Sequence, residues 1–229
     1  MLITVITLFP ELFDKLFATS MLKRAEDKGT VKFNIVNLRD FGIGKHKSVD
    51  DRPYGGGAGM VLRVDVVAQA IKKSRLGSGH EIVVLLDPKG DVYDQKKAEE
   101  FSKIDHIILV CGHYEGFDER IRDYIDCEIS MGDFVLSGGE IPAMAIADSI
   151  VRLIPGNLKK EDAASSESFS NIEGERLLEY PHYTRPSVFE GKTIPEDLLT
   201  GNLKKVQEYR HKEAINLTKK RRPDILTEK

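Results

Sequence analysis

An α/β fold with a mostly parallel sheet is predicted for this chain of 229 residues by three observations. Short apolar, β-branched runs alternate with stretches of helical period, the pattern of strands joined by crossover helices. The later runs each lead into a loop carrying glycine. A polar, Ser-rich stretch over residues 159–176 then separates this pattern from a basic C-terminal region.

The elements follow in order. Residues 2–8 (LITVITL) are apolar and β-branched, as a buried strand requires. Pro10 sits well at a helix start, and Leu12, Phe13, Leu16, Phe17 and Met21 form one apolar face before Gly29 ends the helix. Residues 32–38 (KFNIVNL) alternate as a second strand. A polar segment, 39–60, ends in RPYGGGAGM, where Gly55, Gly56, Gly57 and Gly59 can present N–H groups to an anion; a hinge or a packing turn is the alternative. A helix is expected over 64–73. The strand at 81–86 (EIVVLL) is followed by a turn at Asp87-Pro88-Lys89-Gly90. A short helix over 95–101 leads to a third buried strand at 106–110 (HIILV). Residues 117–124 read as helical with Asp118 as N-cap, 125–130 as extended, and 141–153 as an apolar helix with Pro142 in its first turn.

Composition narrows the class. Hydrophobic residues make up 41% and charged residues 31%, so a sizeable core is available, and no apolar run is long enough to span a membrane. The N-terminus enters a strand pattern at once and carries no signal-peptide features. Two cysteines, Cys111 and Cys127, suit a reducing cytoplasm, and the six histidines form no zinc-type cluster. Residues 201–229 carry nine Lys/Arg against four Asp/Glu, in a chain whose net charge is −3. A basic tail on an acidic body points to a polyanionic partner or to a solvated helix face.

Residues 111–141 concentrate the functional signal. Gly112 and Gly116, then Gly132, then Gly138 and Gly139 follow apolar runs, and clustered glycines let main chain approach a ligand closely. Ligands of parallel sheets bind beyond the carboxyl ends of strands, where the loops after Leu86, Val110 and Ser130 lie. Neither a P-loop nor a GxGxxG fingerprint occurs.

RPYGGGAGM, CGHYEGFDER, SMGDFVLSGGE and PHYTRP, in this order, resemble the bacterial tRNA (guanine-N1)-methyltransferases of the TrmD type. The resemblance runs from the TLFPE motif at residues 7–11 to Arg221-Arg222-Pro223. It implies a SPOUT domain over 1–158 with a deep trefoil knot, a flexible interdomain linker over 159–176 and a small helical tRNA-binding domain over 177–229. It also implies S-adenosylmethionine bound in the knot by Leu86, Pro88, Gly112, Tyr114, Glu115, Gly116, Ser130, Met131, Gly132, Phe134, Leu136, Gly138, Gly139 and Pro142. The family works in the cytoplasm as a homodimer with the active site at the subunit interface. Its target is the guanosine immediately 3′ of the anticodon, preferably after another G.

Guanine N1 must lose a proton before it can attack, and the charge then moves to O6. The resemblance assigns the general base to a linker carboxylate at Glu167, where the family usually has aspartate, with Asp162 as second candidate. It assigns the assisting cation to Arg152. Magnesium is implied as well, with Glu115 or the linker carboxylates able to hold it through water, although no metal motif is present. Other departures are His113 for arginine, Phe134 for tyrosine, Leu203 for histidine and Tyr209 for tryptophan, together with a longer SNIEGER segment. Two other classes fit parts of the chain: a tRNA-binding module with impaired catalysis, and a phosphate-binding enzyme using RPYGGGAGM.

Overall fold

A computed structural model describes residues 1–158, 167–172 and 175–226, and the chain divides into two compact units, Met1–Leu158 and Lys159–Lys229. In the first unit the chain runs β1 (Leu2–Thr7), α1 (Glu11–Phe17), α2 (Ser20–Asp27), β2 (Lys32–Asn37), β3 (Asp50–Asp51), β4 (Val61–Leu62), α3 (Val64–Ser74), β5 (Glu81–Val92), α4 (Gln95–Phe101), β6 (His106–Cys111), β7 (Cys127–Ser130) and α5 (Glu140–Val151). Five strands form one sheet in the order β2-β1-β6-β5-β7, and every pairing within it is parallel.

Both faces of the sheet are covered, which explains why its inner strands β1, β6 and the first half of β5 are largely apolar, whereas the edge strand β2 alternates with polar residues. Successive side chains point to opposite faces. Ile3 and Val5, Val84 and Leu86, and Ile107 and Leu109 therefore pack on one side, with Phe13, Leu22, Phe101 and the inner face of α5. Ile6, Val83, Leu85, Ile108 and Val110 pack on the other, against Val66, Val67, Ala70 and Ile71 of α3. The buried polar groups on these strands are paired. Thr4 Oγ1 lies 2.9 Å from His106 Nε2, and His106 Nδ1 lies 2.6 Å from Glu81 Oε2. A buried hydrogen-bonding group left without a partner would cost about 1–3 kcal/mol.

Three expectations need correction. The single helix expected after Pro10 is two, because the chain breaks at Ala18-Thr19 and Ser20 takes a φ of 54°. No glycine or proline marks that break. Residues 119–124 form a 3₁₀ helix rather than an α-helix, although Asp118 does cap it by accepting from the Arg120 N–H. The expected turn at 87–90 is a bulge inside β5. Register against β7 shifts between Leu86 and Asp91, and the strand then resumes to Val92. Gly90 allows this, since a Cβ there would run into the Glu128–Ile129 backbone.

The smaller unit holds β8 (Asn171–Ile172), β9 (Glu175–Arg176), β10 (Val188–Phe189), β11 (Lys192–Thr193) and α6 (Leu203–Arg221). Part of the segment expected as open linker is therefore structured, since β8 and β9 pair as a short antiparallel hairpin. Asn202 caps α6, its side chain accepting from the Lys204 and Lys205 N–H groups. Lys219, Lys220 and Arg221 occupy the last turn, where cations complement the helix dipole. Ala214 is buried on α6, whereas Leu203 at its start is exposed.

Candidate functional site

The bulge after Leu86, the loop after β6 and the loop after β7 meet at the carboxyl end of the sheet and enclose a cavity of about 280 Å³. Its walls include thirteen of the fourteen residues expected to bind the cofactor: Leu86, Pro88, Gly112, Tyr114, Glu115, Gly116, Ser130, Met131, Phe134, Leu136, Gly138, Gly139 and Pro142. Gly132 stands off the wall. With a φ of 130° it shapes the turn instead, its N–H and C=O both bonded at 3.2 Å to the Ser130 hydroxyl.

Close backbone approach is what the glycines provide. Gly139 donates its N–H to Gly112 O at 2.9 Å, joining the second loop to the third. A Cβ on Gly139 would sit 2.6 Å from Cys111 Cα and 2.7 Å from Gly112 N, and one on Gly112 would sit 2.8 Å from the Phe117 ring. The second loop is anchored from the opposite side. Glu115 donates its N–H to Met60 O and Leu62 donates its N–H to Gly116 O, both at 2.9 Å. Tyr114 holds a φ of 61°, a rare geometry for a non-glycine residue.

The sequence reading passed over seven wall residues: Asp87, Lys89, His113, Phe117, Ile129, Val135 and Ser137. Glu140 was missed as well, because an acid in the first turn of a helix reads as ordinary dipole compensation. It is buried, only 3% exposed, and sits behind the wall. Thr7 Oγ1 donates to Glu140 Oε1 at 2.6 Å, and Glu140 Oε2 lies 2.7 Å from His113 Nε2. A Cβ on Gly138 would collide with both His113 and Glu140, so this buried link tolerates only glycine in front of it. The neighbouring Cys111 thiol is held well above its usual pKa by burial and secondarily by the Glu140 charge. It is therefore a packing residue and not a nucleophile.

Arg152 follows α5 directly, its N–H donating to Asp148 O at 3.2 Å, and its side chain is half-buried. Glu167 belongs to the smaller unit and lines a second cavity of about 340 Å³ together with Leu178, Glu179, Tyr180, Gln207, Arg210, His211 and Ala214. Its backbone is well tethered. Ser170 donates its N–H to Glu167 O at 3.1 Å, Phe169 donates its N–H to Leu177 O at 2.7 Å, and Glu179 donates its N–H to Ser168 Oγ at 3.0 Å. Arg210 stacks over Tyr180, 4.7 Å from the ring centroid. Asp162, the second base candidate, lies outside the described residues.

Among the described residues no group of three or more His, Cys, Asp or Glu is placed to hold a metal ion. No helix among them is long and apolar enough to cross a membrane.

The family model for tRNA (Guanine-1)-methyltransferase TrmD matches residues 1–228. The chain is 50% identical to a tRNA (guanine-N(1)-)-methyltransferase of Bacillus velezensis over 228 residues, covering 99% of this chain and 92% of that protein. It is 49% identical to the enzyme so named from Bacillus subtilis over the same length and coverage. It is also 49% identical to that of Dictyoglomus turgidum over 224 residues, 98% of this chain and 89% of the relative.

Proposed function

Because the chain belongs to the tRNA (guanine-1)-methyltransferase family, it methylates N1 of guanine in tRNA with S-adenosylmethionine as donor, and we propose a residue-level account of that reaction. The target is the guanosine immediately 3′ of the anticodon. The cavity at the carboxyl ends of β5, β6 and β7 holds the donor, Gly132 shaping its third loop from behind the wall. The observation that carries this assignment is a cavity built from the three loops, with glycines in its wall where a Cβ would collide with backbone or ring.

When bound, S-adenosylmethionine supplies a methyl group already activated on sulfonium. The protein's own tasks are therefore to deprotonate and to align. Glu167 takes the N1 proton of guanine, and Arg152 stabilises the negative charge that moves to O6. Glutamate in place of the usual aspartate keeps the carboxylate and moves it outward by one methylene. Among the described residues no group of three or more His, Cys, Asp or Glu offers a ligand set for magnesium.

Residues 1–158 serve as the donor-binding domain, 159–176 as the linker and 177–229 as the domain that grips tRNA. Consecutive cations at the end of α6 support the last role. A deep knot in the first domain agrees with the chain path. The chain leaves β7 at one edge of the sheet, returns to bond Gly112 after β6, and enters α5, which packs against β1 and β6. Two copies of the chain pair at the cavity mouth. Phe134, Val135 and Ile141 are 55%, 84% and 60% exposed there, an apolar patch that a partner subunit would cover. The reaction is assigned to the cytoplasm, in keeping with a tRNA substrate.

The deciding experiment is methyl transfer from labelled S-adenosylmethionine to two tRNA transcripts that differ only in carrying G or A immediately 3′ of the anticodon. Label is expected on the G transcript alone. Label on neither, with donor still bound, would favour a tRNA-binding module that has lost catalysis. Arg152→Ala tests the role at O6. It is expected to lower kcat by about 100-fold or more while donor affinity stays within about threefold, the pattern of a group that meets only the developing charge. Parallel losses in both would move Arg152 into the donor pocket.

A further inference from the structure

Asp87 takes no part in proton removal from N1 or in holding the charge at O6. It opens the bulge in β5, is only 8% exposed, and still forms part of the cavity wall. Its Oδ1 accepts from the Lys89 N–H at 2.9 Å, a bond that any short polar side chain could make. Among the described residues no cation forms an ion pair with it, although the Lys89 side chain shares the same cavity. The other carboxylates nearby are engaged differently. Glu115 packs against Gly59, and Glu140 is taken up behind the wall by Thr7 and His113. A buried, uncompensated carboxylate is costly unless a ligand brings the opposite charge.

We propose that Asp87 is the counter-charge for the sulfonium of the donor, and that it makes the cavity prefer the cationic donor over its demethylated product. The inference rests on the cavity being the donor site. S-adenosylmethionine carries one net positive charge, from its sulfonium, ammonium and carboxylate groups together. S-adenosylhomocysteine has lost the sulfonium charge and is neutral overall. The cavity therefore loses its electrostatic hold on the ligand at the moment the methyl group leaves, which favours product release.

Calorimetry on the full-length protein tests this with three ligands: S-adenosylmethionine, S-adenosylhomocysteine and sinefungin, which carries an ammonium in place of the methylsulfonium. Asp87→Asn keeps an oxygen for the Lys89 N–H and removes only the charge. It is expected to weaken both cationic ligands about tenfold or more while S-adenosylhomocysteine stays within about threefold. Asp87→Ser, smaller and also able to accept that bond, must give the same split. Equal weakening of all three ligands would overturn the assignment, since Asp87 would then serve a part they share, such as the ribose or the amino group. Unchanged affinities would overturn it too. A wild-type protein that binds none of the three would remove the donor site itself and the inference with it.

Discussion

Glu167→Gln is expected to lower the single-turnover rate of methyl transfer by about 10²–10⁴-fold at saturating donor and tRNA, the usual contribution of a positioned general base. Donor affinity should not change, because Glu167 lies in the smaller unit and not on the wall of the donor cavity. Glutamine preserves size and hydrogen bonding, and the turn around residue 167 is held by backbone contacts and Ser168. Loss of rate therefore reports loss of the base. Glu167→Asp should retain substantial rate, because it keeps the carboxylate and only draws it back by one methylene. A Glu167→Gln protein with near-normal rate would dismiss Glu167, and Asp162→Asn would become the variant to assay.

Gly139→Ala addresses the other half of the reaction. The added methyl would meet the backbone of Cys111 and Gly112 rather than the end of a flexible side chain, so the third loop must move away from the second. Overpacking of this kind costs about 1–3 kcal/mol, and donor affinity should fall by roughly 10- to 100-fold. The φ of Gly139 is −79°, so the effect would come from contact and not from backbone strain. Calorimetry with S-adenosylmethionine, alongside a thermal melt that confirms folding, reads it directly. A folded Gly139→Ala protein with wild-type affinity would mean that the seam between the two loops does not shape the site.

The sheet was legible because its inner strands are apolar and separated by helical stretches, and a run buried on both faces admits little else. Breaks made by tertiary packing were not legible. Nothing in Ala18-Thr19-Ser20 announces that one helix becomes two, and the bulge at Asp87–Gly90 carries the residues of an ordinary turn. Its meaning lies in the neighbour that fills the space beside Gly90. The cavity at the carboxyl end of the sheet was readable from its glycines and from the motifs around them. The Thr7–Glu140–His113 link was not, because its members are far apart in the chain and each has a commoner explanation. Asp87 was hidden similarly, between two residues that were identified.

The backbone seam between Gly112 and Gly139 also bears on inhibition. A compound seated against that seam would contact atoms that no substitution can remove. At Gly112, Gly138 and Gly139 any larger residue would deform the cavity for donor and inhibitor alike. Resistance by point mutation at those positions would sacrifice the enzyme, so escape would have to arise at exposed positions of the mouth such as Phe134 and Val135. Compounds that keep away from these two side chains and bind the glycine seam leave resistance the fewest routes.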